Sequence, residues 1–322
     1  MSTKPIVLVT GSTGFVGSNV IFQLLAQDKY TIRAVARSAS KLQSVFPDAG
    51  KEKLQIIEIP TLTSDFSNAL KGAEAIVHSA SPLESERIFE GAYQGSIHIV
   101  EQAIVAGVKK IVDSKNAFGT KLVTEKDFSS ITADQVDIND TNVARAYVAG
   151  QTIAEKKIWE LAHQHPDVDI TVILPPAIFG SYVPNFSVTS RANLGTNSYV
   201  YSLIADSAYP QMPVGHLVNV RDVARAHVAA LSALPIPGRD KRIIVSSGTF
   251  TWRGAADLIR RKRPELKERL PKEGLEQGFR QRDAPLDTEF AKEVLDLKEY
   301  IGWEETILEA LDASLILEKE RS

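Results

Sequence analysis

Residues 6–17 read IVLVTGSTGFVG, and the fold turns on this stretch. Ile6–Thr10 is an apolar, β-branched run without alternation, as expected of a strand covered on both faces inside a parallel sheet. It leads straight into Gly11, Gly14 and Gly17, which open a helix-period segment from Gly14 to Gln27. In that setting each glycine has a separate task. The first lets the chain turn sharply, the second lets backbone approach a pyrophosphate, and the third lets helix and strand pack closely, with the phosphates at the helix N-terminus. The spacing alone is a weak signal; the strand before it and the helix after it make it a dinucleotide site, with Thr13, Phe15 and Val16 in the same turn.

Further apolar runs follow: TIRAV from Thr31, LQIIEI from Leu54, AIVHSAS from Ala75, KKIVDS from Lys109 and ITVIL from Ile170. Helix-period segments such as Tyr93 to Ala106 separate them, and strand alternating with helix predicts an α/β Rossmann fold with a doubly wound parallel sheet. After about Pro175 the pattern breaks. PPAIFGSYVPNFSVTSRANLGTNSYVYS reads as loop rather than core, although Tyr182, Phe186, Tyr199, Tyr201 and Tyr209 could either line a pocket or pack loop onto core. A strand-like HLVNV, an amphipathic helix from Arg221 to Leu234, RIIVSS and a docked helix from Glu304 to Glu320 complete the chain. The expected division is a Rossmann domain over 1–174, with sheet elements returning near 215–250, and a smaller C-terminal α/β lobe over 175–322 that binds substrate. The basic run RRKRPELKERLPKE reads as a solvated helix and turn.

Bulk properties bound the partners. The 322 residues are 43% hydrophobic and 24% charged with net charge −3, and no polybasic or acidic block invites nucleic acid or a membrane surface. The absence of cysteine excludes disulfides, thiolate metal sites and a cysteine nucleophile, and no metal site is expected. MSTKPIVLVTG lacks the form of a signal peptide, and no run approaches the roughly 20 apolar residues that span a bilayer. The expectation is a soluble cytoplasmic protein, monomer or homodimer, acting on a small molecule.

The end of the second strand selects the cofactor, because an acidic residue there would bind a ribose hydroxyl whereas a cation accommodates a 2′-phosphate. Arg37 stands at that point, with Ser38 and Lys41 nearby. NADP(H) is therefore expected to be preferred, with NAD(H) possible.

Over nearly its whole length the chain resembles the extended short-chain dehydrogenase/reductases of the epimerase/dehydratase superfamily. Within them it is similar to the group of dihydroflavonol reductase, cinnamoyl-CoA reductase and yeast-type carbonyl reductase. The stretches that carry this are GSTGFVG from Gly11, VHSASP ending at Pro82, GVKKIVDS from Gly107, AYVAGQTIAEKKIWELA from Ala146, ILPPAIFG from Ile173, HLVNVRDVARAHVAAL from His216, and DLKEYIGW near the C-terminus. The resemblance implies an oxidoreductase that transfers hydride between NADP(H) and a carbonyl or alcohol. It also implies that Arg37 meets the 2′-phosphate and that Ala80, Ser81, Pro175 and Ile178 line the cofactor.

The family's chemistry uses a Tyr and a Lys four residues apart on a helix, where both share one face, and a Ser near the end of the fifth strand. Tyr147 matches the tyrosine, but the lysine position holds Gln151, so the resemblance places both residues against substrate and cofactor with the cation missing. Lys156 lies five residues further on and faces elsewhere. Where relatives carry a Thr-Ser-Ser run, this chain has Ser114, Lys115 and Asn116. Asn116 takes the serine's place and can still donate to an oxyanion. Lys115 is either solvated at a strand end or held near the cofactor, and His78, His98 and His216 read as core or rim residues. Two alternatives stay open beside reduction: a redox-neutral isomerase, cyclase or lyase on the same fold, and an NADP(H)-binding regulator without turnover.

Overall fold

The structure, a computed structural model, describes residues 4–80, 88–115, 123–128, 143–212, 215–272 and 285–319, with the side chains of 88–92, 143–148 and 319 outside the description. Its first half alternates strictly: β1 (Ile6–Thr10), α1 (Phe15–Gln27), β2 (Thr31–Ala36), α2 (Ala39–Val45), β3 (Leu54–Glu58), α3 (Ser67–Leu70), β4 (Ala73–His78), α4 (Ile88–Val105), β5 (Lys110–Ser114), α5 (Val143–Gln164) and β6 (Asp169–Leu174). There follow β7 (Ala177–Phe179), α6 (Asn197–Ala205), β8 (Leu217–Asn219), α7 (Val220–Ala230), β9 (Lys241–Ile244), α8 (Trp252–Lys262), α9 (Glu289–Leu295), α10 (Trp303–Ser314) and α11 (Ile316–Lys319).

Seven strands form one parallel sheet in the order β3-β2-β1-β4-β5-β6-β9. The unbroken apolar run of β1 explains its central place. Val7 and Val9 enter a core with Val20, Leu24 and Val223, while Leu8 between them enters the opposite core with Ile99, Val100 and Ile158. Strand order reverses between β1 and β4, which opens a crevice at the carboxyl ends of these two strands. β7 and β8 pair in a separate two-stranded sheet.

The irregular segment after Pro175 departs from its reading as loop. Phe179 and Val200 are fully buried, and Val188 and Leu194 nearly so; Phe179 and Val200 join a third core with Leu203, Phe250, Leu258, Ile307 and Leu311. Its glycines, prolines and asparagines punctuate short elements whose apolar residues still face inward. The final helix is two helices, α10 and α11, parted at Leu315. The basic run behaves as a helix and turn with paired charges: Arg260 donates to Asp257 and to the Pro271 carbonyl, Arg263 to Asp312, and Arg269 to Glu318. Among the described residues, no helix is long and apolar enough to cross a membrane.

Candidate active site

The β1–α1 turn gives its three glycines different surroundings. Gly11 has φ 70°, and a Cβ there would lie 2.8 Å from the Ala80 nitrogen, so the first glycine both bends the chain and lets it touch the end of β4. A Cβ on Gly17 would stand 2.2 Å from the Gly11 carbonyl oxygen. Gly14 differs: it caps α1 with extended backbone, φ −88° and ψ 171°, and among the described residues a Cβ would meet Gly11 oxygen alone, at 3.1 Å. Among the described residues, the space beside Gly14 is otherwise open. Gly17→Ala is expected to force backbone apart and to cost about 1–3 kcal/mol, as overpacking does, visible in thermal unfolding as a fall of several degrees. An unchanged melting temperature would contradict the close packing.

Two observations make this turn fit a dinucleotide. The α1 N-terminus has no side-chain cap and no acidic residue in its first turn, which leaves first-turn N–H groups and the positive end of the helix dipole for a phosphate. Thr13, Phe15 and Val16 are only partly buried around it. At the end of β2, Arg37 is exposed and has no hydrogen-bond or ion-pair partner among the described residues. Ser38 Oγ accepts the Lys41 N–H at 3.3 Å and caps α2, so Arg37 stands at a fixed turn with the exposed Lys41 one helical turn beyond.

Register brings the other candidates to the same edge of the sheet. Thr10 pairs with His78, His78 with Asp113, and Ser114 with Ile173, which places Ser114 at the carboxyl end of β5 and Ala80 and Pro175 just beyond those of β4 and β6. Ile178 lies in β7, half-buried, and Pro175 is buried. Ser81 and Asn116 lie outside the described residues, as does the side chain of Tyr147. The backbone of Tyr147 lies in α5, one turn before Gln151, which is 3% exposed. Positions 151, 155 and 159 form a buried stripe in which Glu155 accepts from Arg242 Nε at 2.6 Å and from Trp159 Nε1 at 3.4 Å. Lys156 is half-exposed, off that stripe.

Lys115 is not solvated. It is 3% exposed, its ammonium lies 3.0 Å from Asp113 Oδ2, and it donates to Ser96 Oγ at 3.1 Å. Ser96 Oγ lies 3.3 Å from His78 Nε2, and His78 Nδ1 lies 2.7 Å from Thr10 Oγ1. Burial, aided by the Lys115 charge and opposed by Asp113, lowers the His78 pKa to about 4, so this histidine is neutral at physiological pH. His98 instead sits at the rim, bonded to the Ser64 carbonyl oxygen at 2.9 Å. Sequence reasoning passed over Ser79, whose hydroxyl donates to the Thr10 carbonyl at 2.9 Å, and Ser96 on α4. Asp113 and Lys115, two residues apart at a strand end and so on one face, carried a pairing signal that went unused.

The aromatic residues divide. Tyr182 stacks on Phe186 with centroids 4.7 Å apart and tilts against Phe15 of the glycine turn at 5.1 Å, which sets an aromatic wall beside the turn. The Tyr182 hydroxyl donates to the Leu194 carbonyl, and burial raises its pKa to about 12. Tyr201 donates to Glu318, Tyr209 packs on the third core, and Tyr199 is 36% exposed. These three are packing and surface rather than wall.

A family model described as NAD(P)H-binding matches residues 11–179. A putative uncharacterized oxidoreductase of Schizosaccharomyces pombe is 32% identical over 288 residues, which cover 82% of this chain and 84% of that protein. A putative NADPH-dependent methylglyoxal reductase of Candida albicans is 26% identical across 95% of this chain and 97% of its own. The crystal structure of Candida albicans Gre2 in complex with NADPH superposes with a TM-score of 0.81 at 23% identity, covering 97% of this chain and 99% of that one.

Proposed function

The chain belongs to the NAD(P)H-binding short-chain dehydrogenase/reductases of the extended, epimerase/dehydratase type, and on that premise we propose that it is an NADPH-dependent reductase of small to medium aldehydes or ketones. The single observation that carries the cofactor assignment is the open glycine cradle at Gly14 with the exposed cation Arg37, unpartnered among the described residues, beyond it. Similarity to the methylglyoxal reductase supports a carbonyl substrate.

In this reading NADPH supplies hydride, and the chain's residues do the rest. The α1 N-terminus receives the pyrophosphate, Arg37 and Lys41 meet the 2′-phosphate, and backbone at Ala80 and Ser81, with Pro175 and Ile178, lines the dinucleotide. Tyr147 donates the proton to the carbonyl oxygen, Asn116 donates a hydrogen bond to it, and Gln151 holds the ribose hydroxyls through a neutral amide. Ser114 closes the strand end below them. Residues 1–174 form the dinucleotide domain and 175–322 most of the substrate lobe, with Tyr182 and Phe186 at their boundary.

NADPH oxidation against a panel of aldehydes and ketones, in the native chain and in Arg37→Ala, tests the reading. A charged hydrogen bond to phosphate contributes about 1.5–3 kcal/mol, so Arg37→Ala should raise the Kd for NADPH about 10–100-fold and leave that for NADH unchanged. Equal native affinities for the two cofactors would count against the assignment of Arg37.

A further inference from the structure

We propose that Lys115 is a positioning residue for the dinucleotide turn: through Ser96 and His78 it fixes the hydroxyl of Thr10, the residue from which the chain enters Gly11. The proposal rests on the reading of that turn as the NADP(H) cradle.

The direction of the chain of hydrogen bonds follows from what each group can do. An ammonium has donors and no lone pair, so Lys115 Nζ donates and Ser96 Oγ accepts at 3.1 Å. The Ser96 proton is then directed at His78 Nε2, 3.3 Å away. A neutral imidazole that accepts at Nε2 carries its proton on Nδ1 and donates it to Thr10 Oγ1, at 2.7 Å. Thr10 is held from the other side as well, since its carbonyl accepts from Ser79 Oγ at 2.9 Å. The chain thus crosses from the residue after β5 to α4, back to β4 and on to β1, spanning the two strands between which the sheet order reverses.

The burial of the set argues that it is built for order rather than for stability. Thr10 and Asp113 are fully buried, and His78, Ser96 and Lys115 are 1–3% exposed. Replacing a buried ion pair by apolar residues of similar size is often neutral or stabilising, so packing alone gives no reason for a lysine here. A chain of hydrogen bonds running unbroken from Lys115 to Thr10 in a low dielectric instead selects one arrangement. Asp113 offsets the buried ammonium by ion contact at 3.0 Å and anchors itself through the Ser114 N–H at 2.8 Å. Among the described residues, the charged groups facing His78 are Asp113 of β5 and Lys115 just after it; α4 and β1 contribute Ser96 and Thr10.

Nitrogen NMR of the histidine rings reads this directly, with His78→Gln assigning the His78 signal among the six histidines. In the native chain His78 should be neutral with its proton on Nδ1 throughout about pH 5.5–8. Asp113→Asn/Lys115→Met removes both charges together, so no uncompensated ion is left to unfold the chain. In it, the Nε2–H form should appear, and calorimetry should show the NADPH Kd raised about tenfold or more, with the melting temperature within a few degrees of native. An unchanged Nδ1–H pattern overturns the proposal, as does an altered pattern with unaltered NADPH affinity. Failure of the native chain to bind NADPH overturns the cofactor reading instead, and the ring tautomer still reports on the hydrogen-bond chain.

Discussion

Gly14→Val is expected to leave the protein folded and to remove cofactor binding. Extended backbone at φ −88°, ψ 171° suits a β-branched residue, and among the described residues the one atom a Cβ would approach is the Gly11 oxygen at 3.1 Å. The valine side chain would instead fill the volume through which backbone approaches the pyrophosphate. An NADPH Kd raised at least about 100-fold, equal to about 2.7 kcal/mol, is the expected calorimetric result, with thermal unfolding close to native. The contrast with Gly17→Ala, where the fold suffers, separates a glycine kept for the ligand from one kept for packing. A folded Gly14→Val that binds NADPH normally would show that the dinucleotide lies elsewhere.

The second large effect concerns the proton relay. Gln151 sits on a buried stripe of α5, one helical turn after Tyr147. A cation about 4 Å from a phenolate contributes on the order of 4 kcal/mol at an effective dielectric near 20, and about 1.36 kcal/mol is one pKa unit. On the proposed reading, a neutral amide there supplies no charge to favour the Tyr147 phenolate, which suits proton donation in reduction better than proton removal in oxidation. Gln151→Lys would favour the phenolate, and each pKa unit of that effect raises the phenolate fraction near neutrality about tenfold. We expect alcohol oxidation near pH 7 to rise about tenfold or more, with a smaller gain in reduction, where donation is already available. Steady-state rates in both directions check this, and the gain should vanish in a Tyr147→Phe background. Loss of a native activity on Gln151→Lys would mean that the glutamine serves a different mechanism, and a redox-neutral reaction would then take precedence.

What the sequence disclosed, and what it hid, follows from how each signal arises. β1 and the glycine turn were legible because the run without alternation and the glycine spacing each have a local cause that the sheet then satisfies. Arg37 was legible for the same reason, as a position at a strand end rather than a contact. The core role of Phe179, Val188, Leu194 and Val200 was not, because short elements between glycines and prolines show no period long enough to read. α4 begins at Ile88, five residues before the periodic segment at Tyr93, and α7 ends at Ala230, short of Leu234. Lys115 stayed open between solvent and the site, since a lysine at a strand end normally reaches solvent. Its burial depends on Asp113 beside it and on Ser96, which α4 delivers from 19 positions earlier in the chain. No local pattern reports a partner at that distance.

Hydride transfer itself is tested most directly with NADPH deuterated at the nicotinamide C4 and a small aldehyde or ketone, with the alcohol product examined by mass spectrometry and NMR. Reduction at this site requires one NADPH consumed for each alcohol formed and deuterium on the carbinol carbon when the labelled face is the one transferred, a condition met by preparing both C4 epimers. Product formed without NADPH consumption or label from either epimer, or NADPH bound tightly with no product from any carbonyl compound, would contradict the account.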